Sequence, residues 1–170
     1  MASLPAGADS DQRSNLSMIH KAAQINPRKF PRPKLPRQRA GLAYQRLVAR
    51  AFATSAPSGI MVQPDAWFSY LAGKTDTKWA ICSPDILLFD AENSFIIVVE
   101  VKTTYTPLAL GKLRSLYCPV VERATGLPTR PLVVCKHLIL GGPRPSSTIS
   151  FALLSGEPLF QWLGKGPIQW

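Results

Sequence analysis

The feature that most constrains this chain is the run Phe95-Ile-Ile-Val-Val-Glu-Val-Lys102. Aromatic and β-branched residues dominate it, and Phe95 to Val101 is apolar on both faces rather than alternately, the pattern of a central strand covered on each side. Such a strand requires packed layers above and below it, hence an α/β or similarly layered architecture. The same run carries Glu100 and Lys102 two positions apart, so both side chains leave one face of the strand at the end of an apolar stretch. Charged groups placed there are costly unless they are paired or bound to a metal.

Upstream lies a second β-rich run, Pro84-Asp-Ile-Leu-Leu-Phe-Asp90, separated from the first by the polar residues Ala-Glu-Asn-Ser. Two such runs about a short polar turn predict an antiparallel hairpin. With 91–94 as the turn, Asp90 faces Phe95, and the register carries Asp85 opposite Glu100 on the same sheet face. Like charges opposite each other repel, and a cation between them relieves the repulsion. A hard divalent ion suits two convergent carboxylates with a backbone carbonyl and water, and Mg²⁺ in particular keeps several waters. Such an ion polarises a phosphoryl oxygen and lowers the pKa of water. Lys102 beside it would orient or help deprotonate that water and offset charge on a scissile phosphate. The expectation is a phosphodiester-hydrolysing site served by Mg²⁺, with Mn²⁺ as a substitute.

The charge balance agrees. The 170 residues hold 20 Lys+Arg against 10 Asp+Glu, a net +10, which implies a polyanionic partner, most often nucleic acid. An anionic membrane surface is the lesser alternative. From Pro27 to Arg39 there are six bases, four prolines and no acid, a composition that forms neither a packed helix nor a central strand. Residues 1–37 are therefore expected to be a flexible or extended basic arm, with Arg28, Lys29, Arg32, Lys34 and Arg37 gripping phosphates irrespective of sequence. One folded domain is expected over 38–170.

Residues 38–53 predict a helix with Tyr44, Leu47, Val48, Ala51 and Phe52 on one side and Arg39, Arg46 and Arg50 on the other. That basic stripe is either a solvated face or a phosphate-binding one. Further along, the sequence predicts an extended stretch over 60–71 and a helix over 107–124 that Pro119 must kink or restart. Strands follow at 130–140 and 147–154, and the tail with Trp162 and Trp170 has no clear pattern. Cys82, Cys118 and Cys135 form no CxxC pair, and His20 and His137 lack partners at ligand spacing, against a zinc or iron–sulfur site. They read as buried, reduced thiols of an intracellular protein. No apolar run approaches the roughly 18 residues of a transmembrane helix. Asp9 and Asp11, without an apolar core beside them, are unlike a secretory signal.

Pro84-Asp85, fourteen intervening residues, then Glu100-Val101-Lys102 with Thr103-Thr104 after it resembles the signature of the PD-(D/E)XK nuclease superfamily. This group takes in many restriction enzymes, RecB-type nucleases, phage exonucleases and junction resolvases. The resemblance covers roughly 38–140 and includes the order of helices and strands. It implies a restriction-endonuclease-like α/β core, a mixed sheet of about four or five strands flanked by helices. It also implies a Mg²⁺-dependent DNA endonuclease in which Asp85 and Glu100 hold the metal with the Val101 carbonyl and Lys102 positions the attacking water; since no element of the sequence looks like a major-groove reader, recognition of backbone or structure is expected over sequence specificity.

Two positions depart from the pattern. Gln45, in Gly41-Leu-Ala-Tyr-Gln45, stands where many relatives carry a Glu, and Leu113 stands where RecB-type relatives carry a Gln four residues before Tyr117. Gln45 and Tyr117 are therefore auxiliary site candidates, with Lys112 and Arg114 as candidate backbone contacts. A second Pro-Asp pair, Pro64-Asp65, is too distant in sequence from Glu100 to match. The alternatives are an inactive nucleic-acid-binding module of the same fold, favoured by Gln45, and a nucleoprotein or phage structural component. A junction-cleaving version would require a symmetric homodimer. On purely structural readings, Asp85 caps the turn after Pro84, Glu100 and Lys102 form an internal pair, and Tyr117 is core.

Overall fold

A computed structural model describes residues 19–26, 35–73, 79–138 and 158–168. In chain order these form β1 (Ile19–Ile25), α1 (Pro36–Ser55), β2 (Ile60–Pro64), β3 (Trp67–Ala72), β4 (Ala80–Cys82), β5 (Ile86–Asp90) and β6 (Phe95–Thr104). Then come α2 (Pro107–Lys112), a π-helical turn (Leu113–Tyr117), α3 (Cys118–Thr125), β7 (Thr129–His137) and β8 (Leu159–Gln161). The protein is α/β. Its main sheet is mixed and five-stranded, in the order β2-β5-β6-β7-β8, and a second sheet has the order β1-β3-β4.

The central strand is the one its composition demanded. β6 pairs antiparallel with β5 and parallel with β7, and the hairpin register runs from Asp90 opposite Phe95 to Ile86 opposite Val99. The turn is closed by the Asp90 carboxylate, which accepts from the Asn93 N–H at 2.9 Å and from Asn93 Nδ2 at 2.8 Å. Alternate residues divide the core in two. Leu87, Ile96, Val98, Val133, Cys135 and Leu159 face a cluster built with Leu113, Tyr117, Val120 and the inner residues of the small sheet. Ile86, Leu88, Val99, Val101, Leu132 and Val134 face α1 and Trp162. Asp85 and Glu100 share the parity of the first set.

Helix α1 begins at Pro36, two residues earlier than expected, because proline is pre-set for the first helical position and the Gln38 side chain accepts the Leu35 N–H at 3.0 Å. Tyr44, Val48 and Phe52 are buried as predicted, while Leu47 remains 42% exposed. The expected extended stretch over 60–71 divides at Asp65, whose φ of 53° breaks the pairing, so that β2 joins the main sheet and β3 the small one. Pro119 restarts the helix, as anticipated. Its ring and missing donor are accommodated by the preceding π turn, whose wider spacing has Cys118 N–H donating to the Leu113 carbonyl.

Residues 19–25 fall within the stretch expected to be a flexible or extended arm, and they are an ordered strand. β1 lies antiparallel to β3, its Ile19 and Ala22 pack on the core, and Arg123 donates twice to the His20 carbonyl, at 3.1 and 2.9 Å. These apolar residues give this part of the basic segment something to bury. Arg28, Lys29, Arg32 and Lys34 lie outside the described residues, as does the strand expected over 147–154; Arg37 falls within α1. Cys82, Cys118 and Cys135 are buried free thiols, each pushed up to about 11 by burial. No helix among the described residues is long and apolar enough to cross a membrane.

Candidate active site

Asp85 stands one residue before β5, after the buried Pro84, at the end of the hairpin register. Instead of simply facing Glu100 across the ladder, its carboxylate turns to the neighbouring strand, and Oδ2 accepts the Val101 N–H at 2.6 Å. Val101 therefore enters the site through its N–H, a contact that the sequence pattern did not disclose. Burial first, and then the Glu100 carboxylate, push Asp85 up to about 7, against the opposing pull of the Val101 N–H and of Lys102 and Lys112.

Glu100 is 2% exposed, and it and Gln161 are the buried polar residues among those described. Its Oε1 accepts from Lys102 Nζ at 2.5 Å and lies 3.9 Å from Lys112 Nζ. Its Oε2 is buried without a hydrogen-bond partner among the described residues. A carboxylate oxygen in that position costs free energy, and it is aligned on the same sheet face as a second carboxylate. Two hard oxygen donors with an unmatched lone-pair set fit a divalent cation that keeps waters in its remaining positions. Among the described residues, no group of three or more His, Cys, Asp or Glu side chains forms a fuller cage.

The auxiliary candidates are drawn in to different degrees. Gln45 Nε2, on α1, donates to Asp65 Oδ1 at 3.2 Å and, more weakly at 3.5 Å, to the Asp85 carbonyl. Asp65 N–H donates to that same carbonyl at 3.1 Å. The Pro64-Asp65 pair, remote in sequence, is thus a direct neighbour of Asp85, because β2 runs antiparallel to β5 with Pro64 opposite Ile86. Tyr117 is buried, and its hydroxyl is pushed upward by burial and then by Glu100 and Asp85. Lys112 lies 4.4 Å from the Tyr117 ring centre. Arg39, Arg46 and Arg50 occupy the exposed face of α1, and Arg114 is exposed on the π turn.

No family model and no curated protein matches the chain. Among solved structures it is similar to a type III CRISPR defence DNA nuclease activated by cyclic oligoadenylate, at 21% identity and a TM-score of 0.41. The match covers 69% of this chain and 17% of that protein.

Proposed function

We propose that the chain is a divalent-metal-dependent nuclease of the PD-(D/E)XK type that hydrolyses DNA phosphodiesters with little sequence specificity. The observation that carries this reading is the buried Glu100 carboxylate, with Oε2 unpartnered among the described residues and Oε1 held by Lys102, on the sheet face that also carries Asp85. The net charge of +10 supports a nucleic-acid substrate.

Asp85 and Glu100 would hold Mg²⁺ or Mn²⁺, with the Val101 carbonyl as a further donor. The ion would supply a polarised phosphoryl oxygen and a more acidic water. The chain's own residues do the rest. The Val101 N–H fixes the Asp85 carboxylate, so one oxygen is oriented before any ligand arrives. Lys102, 36% exposed at its side chain, would orient the attacking water and balance negative charge on the phosphoryl group. Gln45 and the Asp65 N–H clamp the Asp85 carbonyl and so hold the turn that presents the carboxylate. The exposed arginines of α1 would grip the nucleic-acid backbone and position it without reading bases.

The test is cleavage of a supercoiled plasmid and a labelled branched duplex with Mg²⁺, with Mn²⁺ and with EDTA, by the unchanged chain, Lys102→Ala and Asp85→Ala. Metal-dependent cleavage lost in both variants is the expected result, and preference for the branched duplex would identify a junction-cleaving enzyme. Metal-independent binding without cleavage would instead make the chain an inactive binding module. Cleavage that survives both substitutions would refute the site.

A further inference from the structure

We propose that Lys112 is a second active-site cation that changes partners, held by Glu100 and the Tyr117 ring in the metal-free chain and turned to the substrate phosphate once a divalent ion engages Glu100. The proposal rests on the nuclease reading above and concerns a residue outside the Asp85–Glu100–Lys102 set.

Three observations carry it. First, two ammoniums approach one carboxylate oxygen, Lys102 at 2.5 Å and Lys112 at 3.9 Å from Glu100 Oε1. With Asp85 and Glu100 ionised, the site holds two negative and two positive charges and is neutral without metal. A divalent ion leaves two positive charges unmatched, which complements a phosphoryl group gathering negative charge as it is attacked. Second, the backbone is shaped to hold Lys112 where it is. Residues five apart on a regular α-helix point about 140° away from each other. The π turn at 113–117 alters that spacing, and Lys112 sits over the face of Tyr117 at 4.4 Å. The buried ring keeps the ammonium above the site without neutralising it. Third, the Lys112 side chain is 48% exposed, against 3% for Glu100, so it reaches both the carboxylate and a ligand arriving from solvent.

Lys112 and a divalent ion therefore compete for Glu100, which gives the proposal a signature that simple backbone binding lacks. The experiment measures Mn²⁺ binding to the full chain by calorimetry without DNA, for the unchanged protein, Lys112→Met, Lys112→Arg and Asp85→Asn. Steady-state cleavage and thermal unfolding are measured alongside. Lys112→Met is expected to bind Mn²⁺ about three- to fivefold more tightly, the scale of removing a partly exposed competing charge. Its kcat should nevertheless fall about tenfold or more, the scale of losing one phosphate-facing charge. Lys112→Arg should recover part of both effects. Unchanged or weaker Mn²⁺ binding by Lys112→Met, with binding by the unchanged chain abolished in Asp85→Asn, overturns the role of Lys112 and leaves the nuclease reading standing. Absence of Mn²⁺ binding by the unchanged chain overturns both.

Discussion

Replacing Asp85 with Asn should stabilise the metal-free protein at neutral pH. The substitution keeps the side chain's shape and an oxygen for the Val101 N–H, and it removes one negative charge from beside Glu100. Burial and then the Glu100 carboxylate raise Asp85 from its ordinary 3.8 to about 7. An acid whose folded pKa lies above its unfolded value contributes stability that is complete below the unfolded value and is lost as pH rises through the folded one. The natural chain should therefore lose unfolding free energy between pH 4 and pH 8 that the Asn variant keeps. A rise of that size corresponds to about 4 kcal/mol, an upper bound because water reaching the ionised carboxylate lowers the cost. Urea unfolding of both chains in EDTA, stepped across this range, reads the difference directly. The gap between them should open by about 2–4 kcal/mol in the variant's favour by pH 8. A gap constant to within about 0.5 kcal/mol across the range would refute the claim that the fold holds Asp85 against ionisation.

Mg²⁺ should act in the opposite sense. Added to the unchanged chain, it should raise the melting temperature more at pH 8 than at pH 5, because it requires the carboxylate that protonation removes; an equal rise at both pH values would count against Asp85 as a ligand. Tyr44→Phe should cost about 1–2 kcal/mol in urea unfolding, since its buried hydroxyl donates to the Trp162 carbonyl at 2.5 Å and would leave that acceptor unmatched. No loss of stability would show that the acceptor finds water. Arg123→Ala should release β1, because both donors to the His20 carbonyl disappear. Limited proteolysis should then cut near 19–26 faster than in the unchanged chain, and equal rates would assign β1's docking to its pairing with β3 and its apolar residues.

Much of this arrangement was legible because it is local. The hairpin register followed from two β-rich runs and a four-residue turn, and a period-two alternation then placed Asp85 and Glu100 on one face. Helix α1 followed from Tyr44, Val48 and Phe52. What escaped depends on pairings between remote segments. Asp65 lies far from Glu100 along the chain, yet antiparallel pairing of β2 with β5 places it against the Asp85 carbonyl. β1 was hidden in a basic stretch whose few apolar residues signify only once β3 and Arg123 are beside them. β4 and β8 are three residues each, too short for any periodicity to register. The partnership of Lys112 with Tyr117 was concealed by the π turn, since helical spacing computed at 3.6 residues per turn separates them.

The bond from Tyr44 to the Trp162 carbonyl spans 118 positions of sequence. The layer it closes lies beneath the central strand, where α1 packs against residues that precede and follow the site. At the usual rate of about 5–20 residues per second, a nascent chain presents Tyr44 roughly 6–24 s before its partner exists. Within that interval Ile86, Leu88, Val99, Val101, Leu132 and Val134 emerge and can cover α1, while the part of its apolar side that Trp162 covers stays open. The proposed metal-binding carboxylates are all synthesised well within the same window. Final docking of Trp162 is therefore a late step, so that a chain interrupted before it carries the acidic pair over a layer still open where Trp162 belongs.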